Sequence, residues 1–170
     1  WISQQAIHLN YSARLWWEDL QETGDSEAQW KFAGFAPEYG PELLGEIRGL
    51  EKGQEGTRAG LGSLEFNESE VNRIQELLGG KAFLNKAATE ERFKSDAQKA
   101  QILHLAMHAW AEDRDPLYSG LIFSRNDLPG SEITPLDSSI LFAYEIYLLQ
   151  LQADLAVLSA CNTGIGKIQP

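Results

Sequence analysis

The sequence has very little sulfur and no long apolar stretch. It contains one cysteine and one methionine among 170 residues. A single cysteine cannot form a disulfide within the chain, and a lone thiol is typical of proteins in a reducing compartment. No apolar run approaches the ~20 residues that span a bilayer. We therefore predict a cytoplasmic protein with no membrane anchor and no membrane partner.

Basic residues are also scarce, with 14 Lys and Arg against 25 Asp and Glu and a net charge of −11 at pH 7. A field of this sign repels phosphate backbones, and no cluster of basic and aromatic residues offsets it locally. The composition therefore argues against direct binding of nucleic acid. The length suits one core, so we expect a single domain or a part of one.

The chain does contain apolar stretches of strand length that alternate with segments of helical period. This alternation predicts an α/β fold in which crossover helices connect parallel strands. Strands are expected over residues 6–10, 30–36, 81–85, 102–107 and 155–160. Helices are expected from Ser12 to Leu20, and over residues 67–78, 89–99 and 142–150.

The helix over 67–78 has the clearest boundaries. Asn67 with Glu70 resembles a capping box at its start, and Gly79 and Gly80 follow its last apolar residue. Residues 38–64 differ, because they are rich in Gly, Glu and Pro and show no sustained period. We expect that segment to be an exposed connection.

Two chemically reactive side chains follow two of the predicted strands. His108 comes after the strand over 102–107, and Cys161 comes after the strand over 155–160. The carboxyl ends of parallel strands share one edge of a sheet, so a thiol and an imidazole can meet there if the two strands are neighbours. A nearby histidine raises the fraction of reactive thiolate. Many lone cysteines are simply buried apolar residues, but small turn-forming residues follow Cys161 and favour an exposed sulfur.

The sequences around these residues resemble a known family. Residues 103–108 (LHLAMH) and 153–164 (ADLAVLSACNTG) are similar to the histidine and cysteine strands of the CHAT domain, a caspase-like cysteine peptidase domain of clan CD related to separase. The resemblance implies a three-layer caspase-like fold, with a mostly parallel central sheet between helices. It also implies a cysteine endopeptidase that acts on proteins or peptides without a cofactor or metal, with Cys161 as nucleophile and His108 as proton acceptor. CHAT domains are often fused to tetratricopeptide repeats, which implies a regulatory repeat region as a partner.

The chain departs from this family at two points. The family usually has glycine after its catalytic histidine, whereas this chain has Ala109. The backbone amides of Ala109 and Cys161 are the expected oxyanion donors, and a positive φ at Ala109 would cost about 1 kcal/mol. The family's domain also normally continues past the position of Pro170. We therefore expect residues 1–170 to be the large-subunit-like part of one domain, with a small-subunit-like continuation beyond Pro170.

Neighbouring polar residues have less distinctive settings. Glu112, Asp113 and Asp115 follow His108 and are candidates for orienting the imidazole or binding a basic substrate, although a solvated acidic loop is the commoner explanation of such a sequence. His104 lies on the same strand face as His108 but roughly 13 Å away along the strand, too far to share a metal ion. We interpret it as a hydrogen-bonded core residue. The alternative function is a catalytically silent caspase-like module that binds partner proteins.

Overall fold

The computed structural model describes residues 28–51, 63–112, 114–125 and 139–159. Its strands are β1 (Trp30–Ala36), β2 (Lys81–Leu84), β3 (Ala100–Ala106), β4 (His108–Trp110), β5 (Gly120–Ile122), β6 (Ile140–Phe142) and β7 (Leu155–Ser159). Its α-helices are α1 (Pro41–Glu51), α2 (Asn67–Leu78), α3 (Glu90–Asp96) and α4 (Ala143–Ile146). The strand expected over 6–10 and the helix expected from Ser12 lie outside the described residues, as does Cys161.

Four parallel strands form the main sheet in the order β2-β1-β3-β7. A second sheet is antiparallel and has the order β4-β5-β6. The chain passes directly from the main sheet to the second one, because β3 ends at Ala106 and β4 begins at His108. The predicted α/β class with a mostly parallel sheet is confirmed.

Helices cover both faces of the main sheet. Side chains alternate along β1, so Phe32 packs with Val71 of α2 on one face, while Phe35 packs with Phe93 of α3 on the other. Gly34 allows α2 to approach closely, because a Cβ atom there would lie 2.5 Å from Val71 Cγ1. These contacts make three layers, helix on sheet on helix.

The strands predicted over 30–36, 81–85, 102–107 and 155–160 match β1, β2, β3 and β7 within two residues at each end. Helix α2 spans the predicted residues and is followed by Gly79 at φ 73°. Thr89 caps α3, since its Oγ1 accepts a hydrogen bond from the Arg92 backbone N–H at 3.2 Å. The local patterns were therefore sufficient for the main sheet and for two of its helices.

Three local predictions were wrong. The segment over 38–64 is not simply an exposed connection, since it contains α1, and Tyr39 and Leu43 are buried against Ile122 and Ile140. The helix expected over 142–150 is only one turn long and follows an unpredicted strand, β6. No capping box forms at α2, because Asn67 is the first helical residue, its Oδ1 accepts from the adjacent Glu68 N–H, and the Glu70 carboxylate binds His104.

Candidate functional site

The predicted histidine and cysteine strands are neighbours. β3 and β7 pair in parallel, with Leu105 facing Leu158 and Ala106 facing Ser159. β3 ends at this pair, and Ser159 is the last residue that the structure describes in β7. His108 follows Ala106 by two residues, and Cys161 follows Ser159 by two residues. Because Cys161 is outside the described residues, its approach to His108 remains a prediction.

A side-chain amide joins β1 and β3 at the point where they separate. Asn67 Nδ2, from the first residue of α2, donates to the carbonyl oxygens of Pro37 at 2.9 Å and Ala106 at 3.3 Å. Each carbonyl lies at or just beyond the last residue of its strand. Asn67 therefore fixes the two chain segments immediately before one of them turns towards His108.

His108 lies in a nearly closed environment, with 3% of the residue exposed, after a bend at Met107, which is fully buried. It begins β4 and faces Ile122 of β5. The position at the carboxyl end of the central strand was predicted correctly. The sequence did not predict the burial of His108, because the second sheet that encloses it consists of three strands of only three residues each.

Tyr39 contacts His108 through both its hydroxyl and its ring. The hydroxyl oxygen accepts a hydrogen bond from the His108 backbone N–H at 2.9 Å and donates to the Ile122 carbonyl at 2.9 Å. The two ring centroids are 4.7 Å apart, with 41° between the ring planes. Sequence reasoning missed Tyr39, although its position three residues after β1 already assigned it to the carboxyl edge of the sheet.

Ala109 has ordinary strand geometry. It faces Leu121 in the antiparallel ladder, and Asn85 is the one non-glycine residue with a positive φ in the part of the chain that the structure describes. A positive φ is therefore not required at Ala109, and the expected cost of replacing glycine does not arise.

His104 is a buried, hydrogen-bonded residue, as predicted. Its Nε2 lies 2.9 Å from Glu70 Oε1 of α2, and 5% of the residue is exposed. The other carboxylate oxygen of Glu70 accepts a longer hydrogen bond, 3.4 Å, from the Ser159 hydroxyl. Glu70 thus contacts the middle of β3 and the last residue of β7. Within the described ranges, no three His, Cys, Asp or Glu side chains form a group that could hold a metal ion.

The acidic loop after His108 uses its carboxylates to bind its own backbone. Glu112 Oε1 accepts from the Arg114 N–H at 2.9 Å, and Asp115 Oδ1 accepts from the Leu117 N–H at 3.2 Å. Asp113 lies outside the described residues. These bonds explain the local fold of the loop, and substrate contact by Glu112, Asp113 or Asp115 remains a prediction.

Helix α3, on the face of the sheet that contains Phe93, has carboxyl groups whose pKa values depart from their ordinary values. Burial raises the pKa of Glu90, against the opposing hydrogen bond from Lys94. Burial also opposes ionisation of Asp96, but hydrogen bonds from Lys99 and Arg92 outweigh it and lower the pKa of that carboxyl group. Lys94 bridges Glu90 at 2.5 Å and Glu145 of α4 at 2.7 Å, so this cluster connects two helices of the scaffold.

Comparison with known proteins gives one match. The family model of the CHAT domain matches residues 4–170. No curated protein and no solved structure matches the chain. Among the described residues, no helix is both long enough and apolar enough to cross a membrane.

Proposed function

Because the chain belongs to the CHAT domain family, a caspase-like family, we propose that it is a cysteine endopeptidase in which Cys161 is the nucleophile and His108 the proton acceptor. The observation that supports this most strongly is the parallel pairing of β3 with β7, whose register extends to Ala106 and Ser159. Each proposed catalytic residue follows its strand by the same two positions.

Chain geometry supports an encounter between the two groups. Adjacent strands lie about 4.8 Å apart. Two residues extend a chain by roughly 7 Å at most, so we expect Cys161 to lie near the edge of the sheet at which β3 ends. Under this proposal, the chain segments that carry the sulfur and the imidazole leave adjacent strands of that edge. A thiol beside a histidine is the usual arrangement for activating cysteine as a nucleophile.

The proposed reaction proceeds through a thioester. His108 takes the proton from the Cys161 thiol as the sulfur attacks the scissile carbonyl carbon, and the carbonyl oxygen becomes an oxyanion. The backbone amides of Ala109 and Cys161 donate hydrogen bonds to that oxyanion. His108 then gives the proton to the departing amine. Water hydrolyses the thioester and restores the thiol, with His108 again transferring the proton, and no cofactor takes part.

The remaining family expectations belong to the same proposal. The substrate is a protein or a peptide, the protein acts in the cytoplasm, and a small-subunit-like segment beyond Pro170 completes the domain. A tetratricopeptide-repeat region is the proposed regulatory partner. The acidic residues Glu112, Asp113 and Asp115 are the proposed contacts for a basic substrate side chain.

Labelling of the full chain with a thiol-reactive peptidyl probe tests the dyad. Cys161 should react much faster than free cysteine, and His108→Gln should remove most of that advantage. Ser69→Ala, at an exposed residue of α2 whose hydroxyl donates to the carbonyl of Phe66 just before the helix, provides a control that should label like the parent chain. Circular dichroism melts establish that the variants are folded.

A catalytically silent module that binds partner proteins is the alternative. The burial of His108, at 3% exposure, favours it, because a proton acceptor must reach the thiol and the substrate. Labelling of Cys161 no faster than that of free cysteine, unchanged in His108→Gln, would support this alternative and contradict the peptidase proposal.

A further inference from the structure

We propose that Tyr39 is a positioning residue that holds the His108 imidazole for proton transfer. This inference rests on the proposed function, since it assigns Tyr39 a role through His108 and no contact with substrate. It derives from three contacts made by Tyr39, namely the two hydrogen bonds of its hydroxyl and the packing of its ring on the imidazole.

The Tyr39 hydroxyl connects the main chains of two strands. His108 and Ile122 face each other in the β4–β5 ladder, and the hydroxyl accepts from the N–H of His108 while it donates to the carbonyl of Ile122. A phenol has one donor and can also accept, so this bridge uses both capacities. The backbone of His108 is therefore fixed by a side chain that arrives from the end of β1.

The ring of Tyr39 restricts the imidazole itself. The ring centroids are 4.7 Å apart, and Tyr39 and His108 are 8% and 3% exposed. The outer torsion of a histidine side chain has broad preferences of its own. A close aromatic neighbour in a nearly closed space restricts the outer torsion angle of His108, and this angle sets the orientation of the ring nitrogens.

The two residues that precede Tyr39 are themselves held in place. The Pro37 carbonyl accepts from Asn67, and the Glu38 backbone N–H donates to the Ser124 hydroxyl at 2.9 Å. That hydroxyl donates to the Asn85 carbonyl at 2.7 Å. Residues 37–39 are thus anchored to α2, to the chain after β2 and to the chain after β5. Such support is what positions a reactive group within the narrow limits that proton transfer requires.

A purely structural tyrosine would give a different result from a positioning one. Loss of a structural hydroxyl lowers the melting temperature and leaves the chemistry of the folded fraction unchanged. Loss of a positioning hydroxyl lowers the maximal labelling rate of Cys161, with little change in the probe concentration for half-maximal rate, and shifts the pH dependence of that rate. The rate and its pH profile therefore separate the two roles.

The test compares Tyr39→Phe, Tyr39→Leu and Tyr118→Phe in the full chain, using the thiol-reactive peptidyl probe between pH 5 and 9. Tyr118 is a matched control because it is 54% exposed and lies beyond β4. We expect Tyr39→Phe to lower the maximal rate about 10-fold and to shift its pH profile, and Tyr39→Leu to lower the rate about 100-fold, the loss typical of small displacements of reacting groups. Tyr118→Phe should match the parent chain.

Each outcome bears on a different proposal. A parent chain that labels rapidly through His108, together with a Tyr39→Phe variant of unchanged rate and pH profile, overturns the role of Tyr39 and leaves the peptidase proposal intact. A parent chain without rapid, His108-dependent labelling overturns both. If Tyr39→Leu does not fold, Tyr39→Phe decides alone, because it keeps the ring and removes one oxygen atom.

Discussion

The His104 imidazole and the Glu70 carboxylate form a hydrogen-bonded pair between the central strand and helix α2, with 2.9 Å between Nε2 and Oε1. The histidine side chain is 7% exposed and the glutamate 38%. Glu70 also accepts from the Ser159 hydroxyl. One partly exposed carboxylate therefore connects a buried group of β3 with the end of β7.

Replacement of Glu70 by alanine should destabilise the protein by about 1–3 kcal/mol, because it leaves a buried imidazole nitrogen of His104 without its partner. Urea unfolding of the variant and the parent chain measures this difference. The control is Glu76→Ala on the same helix. The Glu76 side chain is 65% exposed and forms an ion pair with Arg73. An exposed pair contributes about 0.5 kcal/mol or less. Equal effects at Glu70 and Glu76 would contradict the proposed importance of the pair with His104.

The two hydrogen bonds that the Asn67 side chain donates give a second prediction. Asn67→Ala removes both donated hydrogen bonds to Pro37 and Ala106 and should lower stability by about 1–2 kcal/mol. Gln75→Ala is the control, since that exposed amide on the same helix makes one long bond of 3.4 Å. Chemical denaturation of both variants provides the comparison. Asn67→Ala should also slow labelling of Cys161, whereas Gln75→Ala should not.

The close approach of α2 to β1 predicts a strong effect at Gly34. A Cβ atom at that position would lie 2.5 Å from Val71 Cγ1 and 2.7 Å from Phe32 Cζ. Overpacking of a core typically costs about 1–3 kcal/mol, so Gly34→Ala should be destabilising by that amount. Gly45→Ala is the control, because a Cβ atom there meets nothing within 4 Å. In the interior of helix α1 it should be stabilising by roughly 0.5–1 kcal/mol.

A double variant tests the cause of the effect at Gly34. Val71→Ala removes the atom that the new methyl group would approach most closely, so its combination with Gly34→Ala should lose less stability than the sum of the two single changes. Strictly additive losses in thermal or urea unfolding would show that the clash with Val71 is not the cause.

The buried carboxyl group of Glu90 predicts a pH dependence of stability. Burial raises the pKa of Glu90 above its ordinary value of 4.5 in the folded protein. The folded state then binds more protons than the unfolded state between the two pKa values, so the contribution of Glu90 to stability is largest below 4.5 and is lost as pH rises through the folded pKa. Replacement by glutamine, which stays neutral, should therefore remove this dependence.

Urea unfolding at several pH values between 4 and 8 measures the effect of Glu90→Gln. The difference in free energy of unfolding between the variant and the parent chain should move in favour of the variant as pH rises. The loss of the ion pair with Lys94 acts in the opposite direction and is allowed for in this comparison. The control is Glu91→Gln, an exposed glutamate one residue further along α3. A pH trend for Glu90→Gln no larger than that of the control would contradict the assigned effect of burial.

Local sequence patterns were informative for elements that are long enough to show a hydrophobic period. The apolar runs of β1, β3 and β7 predicted parallel strands, and all three are parallel strands of the main sheet. β1 and β3 are largely buried, whereas β7 is half-exposed, so its apolar run did not predict its burial. The period of α2 and the glycines after it predicted its length. The pattern was less informative for β4, β5 and β6, because three residues are too few to show alternation.

The polar contacts around His108 could not be read from the sequence. Tyr39 reaches His108 from a segment 69 residues earlier in the chain, and Asn67 binds carbonyls at the ends of two different strands. The same Asn67 was expected to cap its own helix, which its residue type favours equally well. A side chain with several possible partners selects among them only after the backbone elements have packed.

By itself, the amino-acid sequence determined the α/β class, the positions of the main strands along the chain, and the placement of His108 and Cys161 after two of the predicted strands, because periodicity and strand length act over neighbouring residues. Only the tertiary structure decided that the strands of these two residues pair in register, that a second small sheet encloses His108, and that Tyr39 lies against the imidazole. Those features depend on contacts between distant segments, whose geometry results from the packing of the whole core.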